Sequence, residues 1–117
     1  MQFNEIEYGQ QPPVDGYAPG AFRVAGELLA GPLLLGPGGV LPWRGYDDVK
    51  PVLALAGQID ILFLGSGAEI AHPPRDFRVT LEQSGLALEP MASPSACRTY
   101  NILLSENRRV GLAALPI

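Results

Sequence analysis

The chain of 117 residues holds one cysteine, Cys97, and one histidine, His72. A single cysteine excludes an internal disulfide and any cysteine-rich metal site, and a single histidine leaves little from which to build a zinc centre. No metal and no cofactor are expected. Charge is also scarce, at 17% of residues, with a net value of −4. Apart from Arg108-Arg109 the basic residues are scattered. The chain therefore lacks the basic stripe that neutralises phosphates, and nucleic acid is excluded as a partner. Long apolar runs are missing too. The longest uncharged stretch, Leu28 to Trp43, is interrupted by Pro32, Pro37, Pro42 and four glycines, so it is unsuited to spanning a bilayer. The opening MQFNEIEYGQ carries acids and no apolar run, and the first basic residue is Arg23. Neither a secretory leader nor a mitochondrial presequence is legible there. The expected setting is reducing and cytoplasmic.

What is present points to a folded domain. Apolar residues make up 47% of the chain, which excludes general disorder. The length suits a single domain over residues 1–117. With 14 glycines and 12 prolines, turns are many and elements short. Residues 1–20, with QQPPVDGYAPG, read as an irregular N-terminal arm. Phe22, Val24 and Gly26 alternate with Arg23 and Ala25, the period of a strand with one buried face. Leu33-Leu34-Leu35 predicts a second strand. VLPWRGY reads as a short extended piece entering a loop.

Asp47 or Asp48 is expected to cap a helix through Val49, Val52, Leu53 and Leu55, with Pro51 in its first turn and Gly57 as its stop. IDILFLG is the clearest strand, its nearly continuous apolar run suiting a central position covered on both faces. Pro73-Pro74 opens a second helix with Phe77 and Leu81 inward, closed by Gly85. LALEPM is a strand. Ser93-Pro94 then predicts an N-cap followed by proline at the first helical position. The third helix runs to about Glu106, and Asn107 supplies the left-handed stop. RRVGLAALP is the last strand, with Val110, Leu112 and Ala114 on one face. Alternating strands and helices predict an α/β fold with helices on both sheet faces.

Chemistry-bearing residues are few. Gly65-Ser66-Gly67 follows the clearest strand, and ligands in open α/β sheets bind outside the carboxyl ends of strands. Exposed amides and one hydroxyl there suit an anion, although the turn matches neither a phosphate loop nor a nucleophile elbow. Cys97 stands early in a helix beside Arg98, a setting that can activate a thiol. It also borders the apolar face of Ala96, Tyr100, Leu103 and Leu104, where a free cysteine packs as a small hydrophobe. Packing is the expected role for Cys97, with Arg98 as the function-bearing neighbour whose fork suits a carboxylate or phosphate. Trp43 has two readings, a hydrophobic plug or an anchor for a partner.

Three stretches together, LLLGPGGVLPW, ILFLGSG and MASPSACRTYNILLSENRRVGLAAL, resemble the domain-of-unknown-function family that includes mitochondrial complex I assembly factor 3 and small bacterial and archaeal proteins. The resemblance covers roughly residues 17–115. The family pattern has Gly-Thr-Gly where this chain has Gly65-Ser66-Gly67, and glycine where it has Asn107. The resemblance implies a three-layer α/β fold around a mixed sheet and no established enzyme activity. It also implies protein partners, since the eukaryotic relatives act as assembly factors for the respiratory NADH dehydrogenase. Two functions compete. One is a non-catalytic interaction module. The other is a small-molecule or anion-binding protein, or a cryptic enzyme, with its site at Gly65-Ser66-Gly67 and the helix start carrying Cys97 and Arg98.

Overall fold

Leucines in sequence do not share a face when the chain is extended. In strand β4 (Leu33–Gly36) all residues are buried, but Leu33 and Leu35 join one core cluster and Leu34 the other. Strands β6 (Ile61–Ser66) and β8 (Val110–Leu115) repeat this division. Phe63, Leu112 and Ala114 point to the first cluster, while Leu62, Leu64 and Ala113 point to the second. Successive side chains of a strand face opposite ways, so a sheet with such strands must be covered on both sides.

The chain's computed structural model describes residues 11–117. Its main sheet has the order β5-β4-β8-β6-β7, with β5 at Gly39–Leu41 and β7 at Ala87–Met91. β4 runs antiparallel to β5 and β8, whereas β6 is parallel to both β8 and β7. The sheet is thus mixed, as expected. The strand through Leu64 lies inside the sheet, beside the central β8.

Helix α1 (Lys50–Leu53), helix α2 (Arg75–Gln83) and the Trp43 loop cover one face. Helix α3 (Ser93–Ser105) covers the other, together with a separate antiparallel sheet of β1 (Val14–Ala18), β2 (Ala21–Val24) and β3 (Glu27–Ala30). From β6 the chain passes through α2 to its neighbour β7, then through α3 back across to β8. Crossovers of this kind are right-handed. Because the direction reverses at β6, the two helices fall on opposite faces, and the carboxyl end of β6 becomes a topological switch point.

Three local expectations are corrected. Residues 14–20, expected within an irregular arm over residues 1–20, form β1 and its turn; residues 1–10 of that arm lie outside the described residues. Strand β3 is an addition, paired along its full length with β2. The first helix is shorter than its sequence pattern, and neither Asp47 nor Asp48 caps it. Its N-cap is Val49, without a side-chain bond. The Asp48 carboxylate instead accepts from the Arg44 N–H at 3.0 Å, and the Asp48 carbonyl accepts from the Trp43 indole N–H at 3.0 Å. Asp48 therefore closes the Trp43 loop. Asn107, at φ 63°, ends α3 as expected.

Candidate functional site

At the switch point the sequence places Gly65-Ser66-Gly67. Gly65 and Ser66 are the last residues of β6, so only Gly67 lies past the strand. Gly67 has φ +101°, a conformation that favours glycine. Gly65 is required for a different reason, close approach. A Cβ there would lie 2.6 Å from Ser93 Oγ, 2.9 Å from Ser93 Cα and 3.0 Å from the Ala114 Cβ. The missing side chain lets the start of α3 press against β6 and β8.

Ser93 fills that space, and its role differs from the expected cap. It is the first residue of the helix, the N-cap position belongs to Ala92, and no side-chain capping bond forms. Ser93 is fully buried. Its hydroxyl donates to the Leu115 carbonyl and accepts from the Gly67 N–H at 2.9 Å, while its own N–H donates to the Gly67 carbonyl at 2.7 Å. A single hydroxyl thus joins the ends of β6 and β8 to the start of α3. Tertiary partners outcompete the local cap because burial makes unpaired backbone groups costly.

Ser66 is bound just as closely. Its hydroxyl lies 2.7 Å from the Glu69 carbonyl and 3.0 Å from the Met91 carbonyl, and it accepts from the Ala71 N–H at 2.9 Å. The Ser66 hydroxyl and the Gly67 amide, which the anion reading needs, both have partners within the chain. The single histidine, His72, is exposed in the following loop.

Cys97 and Arg98 are not brought to this turn. They line a cleft of about 180 Å³ between β1, over residues 14–17, and the α3 residues Pro94, Cys97, Arg98 and Asn101. Cys97 is 3% exposed and belongs to the first core cluster. Burial pushes its thiol up to about 11, so the neutral form prevails at neutral pH. This opposes the lowered value that a nucleophilic thiolate needs. Arg98, one residue on, is exposed.

The neighbouring polar residues of the helix hold β1 in place. The Asn101 carboxamide accepts from the Val14 N–H and donates to the Val14 carbonyl, both at 2.8 Å. It pairs with the strand edge as another strand would. The buried Tyr100 hydroxyl donates to the Pro12 carbonyl at 2.7 Å, and Gln11 donates to the Val110 carbonyl. Burial also raises the Tyr100 phenol above its usual range. Asparagine inside a helix was the available signal: its side chain competes with the backbone and disfavours that position unless another partner is supplied.

Trp43 lies on the opposite face, 6% exposed, against Tyr46 and Phe77. Of its two readings, the geometry fits the plug. Arg109 reaches the Gly57 carbonyl at 3.1 Å and Asp60 at 3.4 Å, fastening the start of β8 to the loop before β6. No helix among the described residues is long and apolar enough to cross a membrane.

Known proteins share this arrangement. An uncharacterised protein of Rhodobacter capsulatus is 52% identical over 105 residues, covering 90% of this chain and 85% of the relative. The NADH dehydrogenase [ubiquinone] 1 alpha subcomplex assembly factor 3 of Danio rerio is 30% identical, covering 86% of this chain; the match spans 62% of the relative's own length. The crystal structure of an outer membrane protein from Bartonella henselae superposes with a TM-score of 0.83 at 30% identity, covering 93% of this chain and 98% of that one. The model of a family described as a protein of unknown function (DUF498/DUF598) matches residues 14–115. That match runs from the first residue of β1 to the last of β8, and the chain therefore belongs to this family, which includes the complex I assembly factor 3 proteins.

Proposed function

We propose that this protein is a non-catalytic interaction module that aids the assembly of a respiratory NADH dehydrogenase, acting from the cytoplasm through contacts with other proteins. The observation that carries this reading is the kinship with assembly factor 3 across 86% of the chain. The site geometry supports it. The thiol is held neutral by burial, and the motif's tyrosine and asparagine are committed to holding β1. Between Ser93 and Asn101, Arg98 is the residue left exposed for contact.

Deleting the gene tests this. The assembled NADH dehydrogenase, measured on native gels, should fall while transcripts of its subunits stay unchanged. Normal amounts of complex in the deletion strain would contradict the assembly role. The second reading, a small-anion site at Gly65-Ser66-Gly67, draws on the switch-point position of that turn. It would be favoured by normal complex levels together with saturable binding of inorganic phosphate that shifts the Gly67 and Ala68 amide resonances.

A further inference from the structure

The two sheets of the described residues have four outer edges, and three of them are closed to further strands. The edge of β1 gives the Val14 N–H and carbonyl to Asn101 and is broken by a bulge between Val14 and Gly16. β5 is three residues long and runs into Pro42. β7 carries Pro90, which has no N–H to offer. Short strands, bulges and prolines are the devices that keep sheet edges from pairing with other chains. The outer edge of β3 has no proline and no bulge, and among the described residues no strand lies on it.

The turn before β3 fixes which of its backbone groups face outward. Ala25 and Gly26 both have positive φ, 53° and 81°, so Val24 and Glu27 flank a two-residue hairpin turn of the mirror-image type. In such a hairpin the flanking pair exchanges both of its hydrogen bonds, and bonded and unbonded pairs then alternate along the ladder. The backbone groups of Glu27 and Leu29 therefore face β2. Gly31 continues this alternation, its N–H donating to the Gly20 carbonyl at 3.1 Å. The N–H and carbonyl of Leu28 and Ala30 face the other way, off the edge of the sheet. Leu28 is 58% exposed, and Ala30 is exposed as well.

This edge matches itself. When two copies run antiparallel about a two-fold axis at Leu29, Leu28 of each stands opposite Ala30 of the other. The outward groups of both residues then pair in four hydrogen bonds. Leu29, half-buried against the core on the inner face, meets Leu29 of the second copy directly. The two exposed Leu28 side chains approach diagonally on the outer face. Glu27, the one charged residue of the strand, falls opposite Gly31, so the two carboxylates stay apart. A register shifted by two residues would set Ala30 against Gly26 in the turn and Glu27 against Leu29, with fewer bonds.

We infer that β3 is the interface of a homodimer, in which two copies join edge to edge and their three-stranded sheets become one sheet of six strands. The contact is isologous, the same edge serving on both sides. A second copy is the occupant because the edge's own sequence satisfies its backbone groups, its apolar side chains and its charge spacing together. The seam is short compared with stable interfaces, so the dimer is weak and depends on concentration. The inference stands apart from the assembly reading.

The test is sedimentation velocity of the full chain between about 10 µM and about 1 mM, the range over which weak association becomes populated. The unaltered protein should shift from monomer toward dimer across that range. Leu28→Lys sets two like charges diagonally across the seam, and Leu28→Pro removes an outward N–H without breaking a bond to β2. Each should weaken association about tenfold or more. Val40→Lys, at an exposed position of β5, should dimerise like the unaltered protein. The register is read by Leu29→Cys in oxidised glutathione. Opposite residues of an unbonded antiparallel pair lie within disulfide reach, so this variant should form a covalent dimer, whereas Val40→Cys should not. The native Cys97 is buried. A chain that stays monomeric throughout, a dimer untouched by both Leu28 variants, or a Leu29→Cys protein that fails to crosslink would overturn the inference and leave the assembly reading intact. Protection of the Leu28 and Ala30 amides from hydrogen exchange in the monomer would put another part of this chain on the edge and would overturn it equally.

Discussion

The two faces of the main sheet are closed in different ways. On the face of α1 and α2 the contacts are apolar: Trp43, Phe77 and Leu81 lie over Leu34, Leu62 and Leu64, and the aromatic rings of Trp43, Tyr46 and Phe77 meet edge to face or tilted. On the face of α3 an equally apolar floor of Leu35, Phe63 and Leu112 is overlaid by polar ties from Ser93, Tyr100 and Asn101 to backbone groups far away in sequence. Apolar packing is non-directional and tolerates small shifts. Hydrogen bonds to buried backbone groups fix register, because a slipped partner leaves an orphan. The apolar face only has to be covered, whereas the tied face has to present α3 at a set distance from β1. That distance sets the cleft lined by Cys97 and Arg98.

The largest effect should come from the apolar face. Leu81→Ala removes a fully buried side chain and should cost about 3 kcal/mol in chemical denaturation, since such truncations leave a cavity. Its effect should be global, with the hydrogen exchange of the Val14 and Gly67 amides hastened only in step with the loss of overall stability.

Ser93→Ala should cost slightly less, about 2 kcal/mol, by leaving the Gly67 N–H and Leu115 carbonyl without a partner. Here the effect should be local as well. The Gly67 amide should lose protection beyond what global unfolding explains. Gly65→Ala attacks the same junction from the strand, where a Cβ would collide with Ser93. It should destabilise by a similar amount, within the usual range for overpacking of roughly 1–3 kcal/mol. A Ser93→Ala protein with unaltered stability and protection would erase the distinction between the two faces.

The smallest effect concerns Cys97. Its thiol value rises from an ordinary 9.0 to about 11 in the folded chain. The folded state therefore holds this proton more tightly than the unfolded state, and the stabilisation is full below pH 9 and lost as pH climbs toward 11. Thermal stability should fall over that window, and the fall should be shallower in Cys97→Ala. At pH 7 the native thiol should react with iodoacetamide about a hundredfold more slowly than a free thiol, given its smaller thiolate fraction. A native rate above that of free cysteine would mean an activated nucleophile and would undo the division of labour on α3.

Much of this frame is written in local sequence. The leucines of β4, the apolar run of β6 and the alternation in Val110, Leu112 and Ala114 announce strands by burial period alone. The left-handed stop at Asn107 and the helix opening at Pro73-Pro74 follow from backbone restrictions. What escapes is whatever depends on partners distant in the chain. Glu27–Ala30 has no strand period, with three of four residues exposed, and is a strand because β2 pairs with it. Val14–Ala18 reads as turn chemistry and is fixed by Asn101, 87 positions away. Ser93 satisfies the local rule for a cap, yet its hydroxyl is spent on β6 and β8. The glycine turn and the start of α3 were thus visible in the sequence, while the assignment of Asn101 and Ser93 to tying α3 to β1, β6 and β8 was not.

The division of α3 into an inward, tying side and an outward, contacting side is tested most directly by thermal unfolding of Asn101→Ala and Arg98→Ala side by side. Asn101→Ala orphans two groups of Val14 and should cost about 2 kcal/mol, lowering the melting temperature by roughly 5–8 °C. Arg98→Ala should melt within about 1 °C of the unaltered protein, as exposed substitutions without special contacts do. Equal and large losses in both proteins would make Arg98 another structural tie and would contradict the account.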